Sequence, residues 1–277
     1  MLLSLPRQRQ LDLSQPVVMG ILNVTPDSFS DGGRFKQLDA ALYQAEQMLA
    51  QGAAILDVGG ESTRPGAADV TEQDELARVI PVISAIRQRF DCVISVDTSK
   101  AAVMSAAVQA GADMINDVRA LQEPGALAVA ASAQLPVCLM HMQGAPRQMQ
   151  HNPQYQDVVA EVKQFLLQRA AQCELAGIRK EHIILDPGFG FGKSLAHNYA
   201  LLQQLEEFAA DGYAMLAGMS RKSMIGKLLN EPVDHRLAGS LACATIAAIK
   251  GAHIIRVHDV KETVQAVRVV TAMQYGA

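Results

Sequence analysis

A chain of 277 residues with 49% hydrophobic and 19% charged side chains can bury a sizeable core, which excludes a disordered protein and a minimal module. A net charge of −4, an aromatic content of 4% and no tryptophan supply neither the basic face nor the stacking platform of a nucleic-acid binder. The sequence has no run of about 18 apolar residues, so no membrane-spanning helix is expected.

The first apolar stretch stops at Pro6, short of the roughly 7–15 residues of a secretory signal core. Cys92, Cys138, Cys173 and Cys243 show no CxxC spacing and have mostly apolar neighbours. Buried free thiols and a cytoplasmic location are expected. Without a low-complexity linker, one domain is expected over residues 1–277.

Short apolar runs recur, each followed by a longer helical pattern. Strands are expected at residues 17–22, 54–58, 93–96, 114–115, 137–140, 182–185, 214–217 and 254–257. Leu76, Val79, Ile80, Ile83 and Ile86 form a helical stripe, with Thr71 and Asp74 placed as cap and capping-box-like acid. Pro81 within that stripe predicts a kink or a break. Segments 51–58, 110–118 and 250–257 share one plan, in which Gly52, Gly111 or Gly251 precedes a buried run. Each glycine can end a helix in the left-handed conformation. The repeating unit is therefore a strand and a helix.

Eight such units predict an α/β fold, a (β/α)8 TIM barrel. An open doubly wound sheet is disfavoured because the turn after the first strand lacks GxGxxG. Nearly every expected strand ends in polar residues: Asn23, Asp57, Asp97, Asn116, His141, Asp186, Ser220 with Lys222, and Arg256 with His258. A barrel gathers these ends at one mouth, where function sits. Taken singly they have blander readings, with Asp57 anchoring its loop, and Ser99 capping the next helix while Asp97 bonds the turn. Asp97, Asn116, Asp186 and Lys222 come from four strands, and a core rarely gathers such a set. It suits a flat heterocycle with several N–H donors and one or two acceptors.

Two long connections are punctuated by glycine and proline and suit lids that exclude water. The first follows Asn23 and holds Phe29 and Asp31; the second holds Thr63, Arg64 and Pro65. Arg256 and His258 are two apart and point to one side, after the eighth strand, where barrels often bind phosphate. The glycine-rich run 186–193 permits close ligand approach, with Phe191 as a wall. The seven histidines are dispersed and HExxH is absent, so zinc is not expected. Magnesium held by one protein oxygen and substrate phosphates stays open.

The run GILNVTPDSFSDGG at 20–33 closely resembles the dihydropteroate synthase family, and DVGGESTRPG at 57–66 resembles its second signature. The runs around Asp97, Asn116, Asp186, Lys222 and Arg256 follow in the same order, so the resemblance spans almost the whole chain. It implies a folate-pathway enzyme joining 4-aminobenzoate to (7,8-dihydropterin-6-yl)methyl diphosphate by an SN1-like substitution, with Mg2+ as cofactor and a homodimeric assembly. It implies Asn23 as the Mg2+ ligand, and Asn23, Asp31, Arg64, Lys222 and Arg256 in catalysis. Thr63, Asp97, Asn116, Asp186, Lys222, Arg256, Val257 and His258 would hold the pterin diphosphate. Phe29, Thr63, Arg64, Pro65, Phe191 and Ser220 would hold 4-aminobenzoate. The partners are then these two small molecules, with no nucleic acid and no membrane. Two rivals are a pterin-binding methyltransferase serving a corrinoid protein and a catalytically silent pterin-binding paralogue.

Overall fold

The computed structural model describes residues 1–25, 34–62, 69–144 and 153–276, the side chains of 34–36 excepted. A hairpin of β1 (Leu2–Ser4) and β2 (Gln10–Asp12) opens the chain. There follow β3 (Val17–Asn23), α1 (Arg34–Ala50), β4 (Ile55–Gly59), α2 (Glu72–Arg89), β5 (Val93–Asp97), α3 (Ala101–Ala110), β6 (Met114–Asp117), α4 (Ala126–Ala133) and β7 (Val137–Met140). The rest is α5 (Val158–Leu175), β8 (Ile183–Asp186), α6 (Leu195–Gln203), α7 (Glu206–Ala209), β9 (Ala214–Ala217), α8 (Ser223–Leu229), α9 (Leu237–Ile249), β10 (Ile254–Val257) and α10 (Val260–Tyr275).

Strands β3 to β10 pair in parallel and close into a barrel in the order β10-β3-β4-β5-β6-β7-β8-β9. All eight expected runs become barrel strands, and the run at 114–115 extends to Asp117. Gly52, Gly111 and Gly251 take φ of 99°, 110° and 89°, the left-handed turn that lets each helix stop and the next strand begin. At Gly111 a Cβ would also lie 2.8 Å from Arg87 Cγ.

Helix α2 begins as expected, with the Thr71 hydroxyl accepting from Asp74 N. The Asp74 carboxylate returns the contact to the Thr71 hydroxyl at 2.7 Å rather than to the backbone. The helix is not broken at Pro81. Pro81 is solvent-exposed, so the carbonyl that loses its partner can turn to water, which softens the usual cost of a proline there.

Paired residues on neighbouring strands face the same way, so register sorts the barrel interior into slanting rows. Met19, Ile55 and Val93 share one row. Ile21, Asp57, Ser95 and Met114 share the next. A third runs from Asn23 through Gly59, Asp97, Asn116 and Cys138 to Ile184. The lower interior is apolar and closed by the hairpin, whose Leu3 and Leu5, with Leu13 beyond it, pack on Met19, Ile55, Met114, Leu216 and Ile254. Arg7 and Arg9 of the hairpin turn, with Arg87 of α2, reach the fully buried Asp113 carboxylate. Outward-facing strand residues such as Leu22, Val58, Ile94 and Ile115 pack on the surrounding helices. With one end plugged, the opposite end of the barrel is left for polar chemistry.

Candidate active site

At the C-terminal ends of the strands the polar residues of four strands meet. Asp57 is fully buried, and its Oδ2 accepts from Arg256 Nε at 2.6 Å and from Asn116 Nδ2 at 3.0 Å. The other arm of the same guanidinium donates from Nη2 to Asp97 Oδ2 at 2.7 Å. Arg256 therefore bridges two carboxylates from β4 and β5. Asp57 Oδ1 and its row neighbour Ser95 Oγ are buried and, among the described residues, take part in no hydrogen bond. Buried polar atoms of this kind cost free energy unless something else satisfies them.

Gly59 lies in register between Asn23 and Asp97. A Cβ there would sit 3.4 Å from Asp97 Cβ and 3.8 Å from Asn23 Oδ1, so the missing side chain leaves space between an amide oxygen and a carboxylate. On the opposite wall, Asp186 Oδ1 accepts from Gly188 N at 2.7 Å. Lys222 Nζ donates to Phe189 O at 2.7 Å and stands 4.7 Å from the Phe191 ring centre. Gly188, at φ 70°, runs so close to β7 that a Cβ would lie 1.9 Å from His141 O; only glycine fits this turn. Ser220 Oγ is within 3.1 Å of His258 Nδ1 and accepts from His258 N at 3.2 Å. Arg221 pairs with Asp259, tying the turn after β9 to the end of β10.

Burial pushes Asp97 up to about 7, with Arg256 opposing and Asp57 adding to the shift. Asp186 is also raised by burial, against the pull of Lys222 and the Gly188 N–H. Burial lowers Lys222 to about 8 although Asp186 favours its charged form. For Arg256, burial acts downward but Asp57 and Asp97 more than offset it, and it stays a cation. Perturbed groups of opposite sign clustered in one cavity mark a functional site.

Of the residues singled out from the sequence, Asn23, Asp97, Asn116, Asp186, Phe191, Ser220, Lys222, Arg256 and His258 come together at this mouth. Val257 packs outward among the residues between barrel and helices, which leaves only its backbone to reach the cavity. Phe29, Asp31, Thr63, Arg64 and Pro65 lie outside the described residues. Ser99 does not cap α3: its hydroxyl donates to Asp117 Oδ1, the N-cap position is Lys100, and Lys100 N donates to Thr98 Oγ1. Asp57 is not a loop anchor. Its place two residues before Gly59 puts it on the inner face of β4, and that alternation was the available signal. Glu61, beside the second connection, meets Lys100, which also holds the fully buried Glu75. Among the described residues no cluster of three or more His, Cys, Asp or Glu side chains could hold a metal.

Residues 19–258 match the family described as Pterin binding enzyme. A dihydropteroate synthase of Escherichia coli K12 is 63% identical over 262 residues, covering 95% of this chain and 93% of the relative. That of Haemophilus influenzae is 62% identical over 253 residues, covering 91% and 92%. Among solved structures, the Yersinia pestis dihydropteroate synthase with a sulfonamide drug superposes with a TM-score of 0.94 at 59% identity, covering 99% of both chains. The Xanthomonas albilineans dihydropteroate synthase with 4-aminobenzoic acid superposes at 0.92 with 50% identity, covering 97% and 96%.

Proposed function

The chain belongs to the dihydropteroate synthases of the pterin-binding enzyme family, and on that premise we propose how its barrel mouth divides the reaction among its residues. The substrates are 4-aminobenzoate and (7,8-dihydropterin-6-yl)methyl diphosphate; the products are 7,8-dihydropteroate and diphosphate. The observation that carries the assignment is the convergence of Asp57, Asp97, Asn116 and Asp186 with Arg256 and Lys222 at one barrel mouth. A pterin presents N–H donors along one edge and carbonyl and ring-nitrogen acceptors along another. Asp97, Asn116 and Asp186 suit the donors, and Lys222 suits the acceptors. Asp57 Oδ1, without a hydrogen-bond partner among the described residues, is an acceptor that such a ring can satisfy.

Arg256 and His258 stand toward the leaving group. A dihydropterin is electron-rich and shares the positive charge that develops on its exocyclic methylene as the C–O bond to diphosphate breaks. The amine of 4-aminobenzoate brings its own lone pair, forms the C–N bond and then releases a proton, so no strong base is required. This favours the dissociative, SN1-like route, with the cationic side chains stabilising the departing anion. Mg2+, when bound, would neutralise charge on the diphosphate. Asn23 Oδ1 is a hard oxygen at the mouth beside Asp97 and fits an ion that keeps most of its shell for water and phosphate. Phe191 and Ser220, with Phe29, Thr63, Arg64 and Pro65, would form the 4-aminobenzoate site, and Asp31 would act in the first connection. A sulfonamide is expected to compete there.

Exposed Leu237, Ile246 and Ile249 on α9 and Val269, Met273 and Tyr275 on α10 support a homodimer, which light scattering would test. The free, buried cysteines suit a reducing cytoplasm. The relatives named above are synthases, and nothing at the mouth favours the methyltransferase or the silent paralogue. The deciding experiment is to follow dihydropteroate formation and diphosphate release with both substrates, with and without Mg2+. Stoichiometric release that depends on 4-aminobenzoate supports the reading; release without condensation, or neither, overturns it.

A further inference from the structure

Lys193 is almost fully buried, at 2% exposure, and the reaction as set out above does not use it. Its Nζ lies 2.9 Å from His141 Nδ1, 2.9 Å from Gly188 O, 3.0 Å from Phe191 O and 3.3 Å from His141 O. A buried lysine is expensive unless it is paired, and here it is surrounded by backbone carbonyls and one imidazole rather than by a touching carboxylate. Those partners belong to two segments only: the end of β7 and the turn that follows Asp186. That turn is held at further points, since Gly190 N donates to Asn198 Oδ1 at 2.6 Å and Tyr155 OH donates to Gly192 O at 2.8 Å. A Cβ at Gly192 would lie 2.4 Å from Gln143 O and one at Gly188 1.9 Å from His141 O, so the turn sits against β7 and its extension at both of these glycines.

What the turn carries decides what this lysine does. It begins at Asp186, whose carboxylate is fixed by Gly188 N–H. It presents Phe189 O to the Lys222 ammonium and sets the Phe191 ring beside the same ammonium. We propose that Lys193 is a positioning residue for the pterin edge, an internal ammonium that clamps the Asp186–Lys193 turn to the end of β7 through His141 Nδ1 and the carbonyls of His141, Gly188 and Phe191. Asp186 and Lys222 thereby stand in place before any ligand arrives. This rests on the reading of Asp186 and Lys222 as pterin contacts.

The protonation pattern follows from the donor inventory. An ammonium has three donors and no acceptor, which matches three short contacts to acceptors and requires His141 Nδ1 to carry no proton. Burial pulls the Lys193 pKa down, with Asp186 favouring the charged form. Burial and Lys193 together hold His141 down to about 3, so the imidazole is neutral, and an ammonium at Lys193 requires its proton on Nε2. The converse arrangement, a neutral amine accepting from an Nδ1–H imidazole, would take the positive charge away from the turn.

Three measurements on the full-length protein test this. In the wild type, nitrogen NMR of His141 should show the Nε2–H tautomer near neutral pH; an Nδ1–H tautomer or an imidazolium overturns the ammonium clamp. Calorimetry with free hydroxymethyl pterin, which has no phosphate, should show Lys193→Met weakened at least about tenfold, as expected when hydrogen bonds to charged groups are misplaced. Lys193→Met leaves buried acceptors without their donor, so a lower melting temperature is expected as well; affinity is therefore compared well below that melting temperature, where Lys193→Arg should recover part of it. Asp186→Asn is the control. If it loses pterin affinity while Lys193→Met binds as the wild type does, the clamp is refuted and the pterin reading stands. If Asp186→Asn binds normally, the pterin reading fails and the clamp fails with it.

Discussion

Asn116 and Asp57 share a hydrogen bond of 3.0 Å between β6 and β4, and the accepting oxygen is the one that also takes Arg256 Nε. The amide and the guanidinium thus crowd one oxygen, while its twin Oδ1 has no hydrogen-bond partner among the described residues. Removing Arg256 would leave Asp57 and Asp97 buried without their cation. Arg256→Ala should lower the unfolding free energy by about 3–5 kcal/mol, the usual cost of breaking a buried pair from one side. Urea unfolding measures this. Adding Asp57→Asn should restore part of the loss, because the second change removes one of the orphaned charges. Arg256→Ala should also weaken the diphosphate substrate more than free hydroxymethyl pterin; equal weakening would mean that the end of β10 has collapsed.

Asp97 links stability to pH with an unusual sign. Its folded value of about 7 lies above the ordinary 3.8, so between these limits the folded protein holds a proton that the unfolded chain releases. Stability from this group is greatest at low pH and falls as pH rises through that window. Pterin binding should run the other way, since the ionised carboxylate is the better acceptor. In Asp97→Asn the fall in melting temperature between about pH 5 and about pH 8 should be smaller. It should not vanish, because burial raises Asp117 and Asp186 as well. The same variant should melt higher than wild type at neutral pH, by about 2–4 °C per kcal/mol gained, and should bind pterin more weakly. An identical pH slope in wild type and variant would refute the assignment.

Gly59 offers a test of space rather than charge. A methyl there makes ordinary contacts with Asp97 and Asn23, and the strand backbone accepts alanine, so folding should be unchanged or improved by up to about 1 kcal/mol. Occupying the gap between the amide and the carboxylate should still raise KM for the pterin diphosphate several-fold. Paired melting curves and steady-state kinetics would reveal a loss of stability, which would show that the glycine serves the strand instead.

At the far end, Leu3→Ala removes a side chain that is fully buried in the plug. The expected cost is about 2–5 kcal/mol. Kinetics well below the melting point should be those of the wild type, since the N-terminal face of a barrel contributes stability and its opposite face contributes chemistry. A change in KM would mean that the plug transmits strain through the interior rows.

The eight barrel strands were legible because each is a run buried on both faces, bounded by a left-handed glycine or a polar end. The hairpin was not. Its strands are three residues each, and its turn places Arg7 and Gln8 at φ 61° and 58°, a geometry usually announced by Asn-Gly. The mouth was legible as a collection of strand ends, but its internal bonding was not. Arg256 reads as a phosphate ligand in isolation, and only the barrel register reveals that two carboxylates already hold it. Taken singly, Asp57 reads as a loop anchor because an aspartate near a strand end is so often a turn residue. Ser99 was misread because a serine before a helix suits a cap, whereas Asp117 on the neighbouring strand competes for its hydroxyl. Lys193 gave no signal of its own, since its four partners include three backbone carbonyls, which any sequence supplies.

The placement of Arg256 on the last barrel strand has a consequence for how the protein is made. Its acidic partners precede it by 199 and 159 residues, and β10 closes the seam by pairing with both β3 and β9. A ribosome therefore delivers the two carboxylates long before the guanidinium that bridges them. Until β10 emerges, Asp57 and Asp97 repel each other on an open sheet whose first strand has no neighbour on one side. Premature closure without β10 would bury both charges uncompensated. Closure of the barrel by β10 and neutralisation of the two carboxylates become a single event.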